Sequence, residues 1–68
     1  MIVLLNGGPR ELPERATVAD VVAAASASPE GRGVAVAIDG EVVPRGEWPA
    51  TRVREDQQIE VLQAVQGG

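Results

Sequence analysis

The chain contains no cysteine, no histidine and no lysine, and Trp48 is its single aromatic residue. Each gap removes a class of chemistry. Without cysteine there are neither disulfides nor thiolate metal sites. Without histidine the usual zinc ligand is missing, and so is the usual general base near neutral pH. All six cations are arginines, the net charge is −4 and the pI is near 4.5, the opposite of the basic stripe that nucleic acid requires. No run approaches the roughly 18 apolar residues of a membrane span. The opening "MIVLLNGG" has no basic n-region and no cleavage site, so it does not read as a signal peptide. The expectation is a soluble, cytoplasmic protein that contacts neither membrane nor nucleic acid.

An ordinary catalytic site is equally hard to assemble. Ser26 and Ser28 have no histidine to activate them. Gly31, Arg32 and Gly33 lack the lysine and spacing of a phosphate-binding loop. The ten carboxylates are scattered, and the one adjacent pair, Glu55 and Asp56, reads as a solvated turn. No metal site and no cofactor bound by this chain are expected, and self-contained catalysis is not expected either.

What the sequence does hold is an aliphatic core. At 68 residues there is room for one domain, which buries about 60% of its unfolded surface. The apolar fraction is 44%, nearly all valine, alanine, leucine and isoleucine. Ile2–Leu5 is an aliphatic strand ended by Asn6, Gly7, Gly8 and Pro9, which is turn chemistry. Residues 10–13 return as a second strand with Leu12 inward. Thr17 followed by Asp20 has the form of a helix N-cap with an acid at the third helical position. Val18, Val21, Val22 and Ala25 then follow at helical spacing and make one apolar face. Residues 26–33, "SASPEGRG", stop the helix.

Val34, Val36 and Ile38 alternate with Ala35 and Ala37, a strand with its large residues on one face. Asp39 and Gly40 form a hairpin signal, with Glu41, Val42 and Val43 as the return. Residues 46–49 read as a turn or a single helical turn. A lone tryptophan such as Trp48 is more often a core plug or a lid than a binding platform. Residues 59–64 are the last strand, with Ile59 and Val61 inward. Leu62 then points to the opposite face, with Leu5 and Val3 beside it in one reading, as an apolar docking surface.

One helix must cover one face of a small sheet, because no other layer is available. The fold class expected is α+β: a mixed sheet of four to five strands with one main helix on one face. The economical order places the first and last strands parallel at the centre, as in the β-grasp, or ubiquitin-like, fold. That placement is by analogy, since periodicity does not order strands. Residues 1–64 make the domain, and residues 65–68 a flexible tail ending in Gly67 and Gly68. A tail without Cβ atoms can thread a narrow channel and let a partner's backbone approach closely. A free carboxylate is a poor electrophile, whereas its acyl-adenylate is open to attack by sulfur or nitrogen. The tail delivers the group, and another protein must supply the nucleotide site.

The stretch "VAVAIDGEVVPRGEW" followed by "IEVLQAVQGG", with "LNGGPRELPERATVADVV" before them, resembles the ThiS family, the sulfur carriers of thiamin biosynthesis. The likeness spans essentially the whole chain. Its most specific parts are Val43, Pro44 and Arg45 with Trp48 three residues on, and the end from Ala64 to Gly68. The resemblance implies an E1-like, ThiF-type partner that adenylates the Gly68 carboxylate with ATP and magnesium. Sulfur from cysteine, through a desulfurase, would convert that carboxylate to a thiocarboxylate for a ThiG-type thiazole synthase. Gly68 would carry the chemistry, Gly67 would permit access, and Ala64, Val65 and Gln66 would lie in the partner's channel, with Leu62 on the docking face. The family commonly has Asn where Asp39 stands, and Gly-Asp where Asp56 and Gln57 stand. Both departures concern loop geometry, and Asp56 tolerates a left-handed turn. A molybdopterin-type sulfur carrier, a ubiquitin-like modifier and a plain β-grasp interaction domain are the alternatives. The absence of lysine excludes only chains built through the protein's own lysines.

Overall fold

The computed structural model describes residues 1–25 and 32–64. The order is β1 (Ile2–Leu5), β2 (Gly8–Glu11), α1 (Val18–Ala25), β3 (Val34–Ile38), β4 (Glu41–Val42), a 3-10 helix (Arg45–Ala50) and β5 (Gln58–Gln63). The five strands form one sheet in the order β2-β1-β5-β3-β4. β1 and β5 are the parallel central pair, and the remaining pairs are antiparallel. This is the β-grasp arrangement.

Both hairpins turn on two residues of positive φ. Asn6 (50°) with Gly7 (85°), and Asp39 (50°) with Gly40 (87°), have the left-handed pair of a type I′ turn. Such turns match the strand twist and set register, so Leu5 faces Gly8 and Ile38 faces Glu41. β2 starts earlier than expected, at Gly8, because the tight turn consumes only Asn6 and Gly7. Leu12 still reaches the core, and its amide donates to the Met1 carbonyl at 2.8 Å. β4 is one residue shorter than expected, although the Val43 amide still donates to Val36 O at 2.8 Å.

α1 begins where Thr17 and Asp20 cap it. The Thr17 amide donates to Asp20 Oδ2 at 2.9 Å, and the Asp20 amide donates to Thr17 Oγ1 at 3.3 Å. Both groups would otherwise be orphan donors of the first turn. Eight residues are too few for a helix to be stable alone, so packing decides. Val18, Val21 and Val22 are buried in the core against Val3, Val36, Ile59 and Val61. Each fully buried valine contributes about 1.5–3 kcal/mol of transfer free energy. Ala25, expected on that face, is exposed; half-buried Ala19 packs against the core instead. The helix runs for about two turns, and its last three residues, Ala23, Ala24 and Ala25, are exposed. Residues 26–31 of the expected loop lie outside the described residues.

Trp48 closes the core from the 3-10 helix at 6% exposure, and its indole N–H donates to Val43 O at 3.0 Å. It is a lid. The Arg45 guanidinium carbon stands 5.9 Å from the ring centroid, within cation–π range. An antiparallel bridge between Thr17 and Arg52 ties the helix entrance to the return segment. None of the described helices is long and apolar enough to cross a membrane.

Candidate functional site

β5 is the element that leads to the terminal segment, so its faces and edges define the candidate site. Its exposure alternates, with Ile59 and Val61 buried under α1 and Gln58, Glu60 and Leu62 outward. Leu62 lies on the outer face as expected, 66% exposed, opposite exposed Ala35 of β3. Its apolar neighbours are not those expected. Val3 is fully buried, and Leu5 is half-buried against the core. Ile2 and Leu4 occupy the outer face instead, 42% and 37% exposed. The cause is the period of two: Leu4 pairs with Gln58, which puts even-numbered residues of β1 on the face of Gln58, Glu60 and Leu62. An unbroken aliphatic run such as "IVLL" carries no alternation to show this. Val42 is more exposed still at 75%, and pairs with Ala37. The outer face therefore carries Ile2, Leu4, Val42 and Leu62, with Ile2 and Leu4 at the Gln58 end of β5, Leu62 four residues further along the strand than Gln58, and Glu60 between.

The strand's far end is held on both sides. Toward β3, the Ala64 amide donates to Gly33 O at 2.7 Å, one residue past the last ladder pair. Gly33 has φ of 66°, and a Cβ there would touch Ala64 Cβ at 3.5 Å. Toward β1, the Asn6 amide donates to Ile59 O at 2.8 Å, and the chain then turns away. The Asn6 carboxamide takes over: the Val61 amide donates to its Oδ1 at 2.9 Å, and its Nδ2 donates to Val61 O at 3.2 Å. Sequence reading placed Asn6 in the turn and missed this second role. The available signal was the residue type, since asparagine accepts φ > 0 and carries a group that mimics the peptide.

Of the expected site residues, Leu62 and Ala64 are described, both exposed, the one on the outer face and the other at the strand's exit. Val65, Gln66, Gly67 and Gly68 lie outside the described residues. The structure thus brings Leu62 and Ala64 together on one strand and adds Asn6 through its bonds to Val61, whereas Ile2 and Leu4 share the outer face at the Gln58 end of β5.

A concavity of about 350 Å³ opens between the β3–β4 hairpin and residues 51–57. Glu41 and Glu47 line it together with Arg52 and Arg54. It lies at the start of β5, roughly 20 Å along the strand from Ala64 at 3.3 Å per residue. Among the described residues, no group of three or more acids could hold a metal ion.

A crystal structure of a thiamine biosynthesis protein (ThiS) from Geobacter metallireducens is similar over the full length of both chains, with 28% identity and a TM-score of 0.80. An NMR solution structure of a thiamine biosynthesis protein from the same organism gives 28% identity and a TM-score of 0.81, covering all of this chain and 88% of that one. A comparison with curated proteins finds no match. The ThiS family matches residues 3–68, from the first strand through both terminal glycines, and the chain belongs to that family.

Proposed function

We propose that this chain is a sulfur carrier of thiamine biosynthesis, with the Gly68 carboxylate as the group that carries sulfur. One observation bears most of the weight: the family match runs unbroken through Gly67 and Gly68 on a β-grasp domain. The carboxylate attacks the α-phosphorus of ATP on a ThiF-type adenylating partner, where magnesium assists, and pyrophosphate leaves. A persulfide sulfur, drawn from cysteine through a desulfurase, then displaces AMP to give an acyl disulfide, and a thiol reductant cleaves its S–S bond, releasing the thiocarboxylate and becoming oxidised to a disulfide. A ThiG-type thiazole synthase takes the sulfur. The chain acts as co-substrate, and its partners supply the catalytic groups. The family match favours this over a molybdopterin-type carrier or a protein modifier, which share the glycine end.

Two features of the domain support the reading. The outer face around Leu62 offers an apolar docking surface beside the strand that leads to the glycines. The anchorage of Ala64 by Gly33 sets a limit on reach. Four residues beyond Ala64 span at most about 14 Å, so a partner's reactive centre has to lie within that distance. Val65 and Gln66 would then occupy the partner's channel, with Gly67 admitting its backbone.

The test is an intact-mass measurement after incubation with the adenylating enzyme, Mg-ATP and a sulfur source. Replacement of one C-terminal oxygen by sulfur is the expected outcome. Deleting Gly68 should abolish that product and leave the melting temperature unchanged. Absence of the product from the intact chain, with a partner active on another carrier, would overturn the proposal.

A further inference from the structure

Asn6 stands where the central pairing of the sheet runs out. Along β5, alternate residues direct their backbone groups to opposite neighbours. Gln58 O accepts from Asp39 N and Ala64 N donates to Gly33 O, both on the β3 side. Ile59 O accepts from Asn6 N on the β1 side, and Val61 faces the same way. β1, however, pairs only as far as Leu5 with Ile59. Beyond that point the chain enters the Asn6 and Gly7 turn, and Val61 loses a backbone partner. The Asn6 carboxamide supplies a donor and an acceptor to the two groups of Val61, as a peptide unit would.

We infer that Asn6 is a positioning residue for the end of the domain: its carboxamide holds the last residues of β5 between two partners, so that the strand's exit at Ala64 keeps one place on the sheet. This rests on the sulfur-carrier reading for its functional consequence. Only asparagine meets all the demands of the position. It tolerates φ of 50°, and its side chain both donates and accepts. Aspartate would accept from Val61 N but set a carboxylate beside Val61 O. Glycine would keep the turn and lose both bonds.

The experiment compares Asn6→Gly and Asn6→Asp with the intact chain. Amide exchange at Val61 should rise about tenfold in Asn6→Gly relative to the Ala35 and Ala37 amides, the effect of losing a local hydrogen bond, and less in Asn6→Asp. With the adenylating enzyme and Mg-ATP, pyrophosphate release should show kcat lowered roughly tenfold, because a strand end that is no longer held presents the terminal carboxylate to the nucleotide less often. KM should stay within about twofold, since the outer face that would dock is untouched. Asn6→Asp should fall between the two. Unchanged Val61 exchange would overturn the clamp, and unchanged kcat despite faster exchange would overturn the positioning role. A wild-type chain that is never adenylated would instead overturn the sulfur-carrier reading and the positioning role with it, leaving Val61 exchange to judge the clamp. If Asn6→Gly does not fold, Asn6→Asp decides by the same criteria.

Discussion

Thr17 and Asp20 hold each other's backbone donors at the start of α1, through contacts of 2.9 and 3.3 Å. For a helix of eight residues with three buried valines, that cap is a large share of the local stability. Thr17→Ala removes the hydroxyl acceptor at the first turn and should cost about 1 kcal/mol. In a domain this small that is a fall of roughly 4–8 °C in the melting temperature. Differential scanning calorimetry would read it, and a change below one degree would show the cap to be idle. Asn6 and Thr17 were both readable as turn or cap residues from their type and neighbours. Their different weights were not, because Asn6 makes its bonds to a strand fifty-five positions away.

At the scale of elements, the β3–β4 hairpin shows how a local signal sets a whole segment. Asp39 and Gly40 both adopt positive φ, and Asp39 Oδ1 also accepts from the Gln58 amide at 3.0 Å. The turn thereby fixes the register of β4 and seats β5 as well. Nothing lies within 4 Å of a Cβ built on Gly40, so any penalty there is purely conformational. Gly40→Ala should destabilise by about 1–2 kcal/mol, the left-handed cost for a residue with a Cβ. Gly46, equally open but without positive φ, is the control: Gly46→Ala should be neutral or stabilise by up to about 1 kcal/mol. Urea midpoints of the two variants moving together would contradict this account. Strand existence was legible from valine alternation and the hairpin signal. Strand faces were legible for β3 and β5, where large residues alternate with small or polar ones, and illegible for β1, where every residue is apolar.

At the scale of the whole molecule, one sheet face is committed to the core, and among the described residues no element covers the other. Ile2, Leu4, Val42 and Leu62 come from three strands separated by up to sixty positions in the chain. Leu62→Thr keeps a strand-forming residue and alters an exposed position, so stability should shift by no more than about 0.5 kcal/mol. On the sulfur-carrier reading, KM for the carrier in the adenylation reaction should rise roughly tenfold, as for an interface anchor, with kcat little changed. That signature is the reverse of the one expected for Asn6→Gly, so docking and the positioning of the strand's end are separable in one assay. An unaltered KM would remove Leu62 from the docking surface.

By itself the sequence determined a great deal here. Composition excluded thiolate and histidine chemistry, turn residues set the hairpins, and periodicity set the helix and its buried valines, while the ending "VQGG" raised the expectation on which the proposed function rests. These are local properties, decided by what a residue can do with its nearest neighbours. Tertiary structure alone decided which residues of β1 face outward, that Val3 is core and Leu4 surface, and that Asn6 completes the pairing of Val61. The reason is physical: a strand's face is set by the strand beside it. A backbone group's partner depends on where that neighbouring strand stops. Neither is encoded within the segment itself.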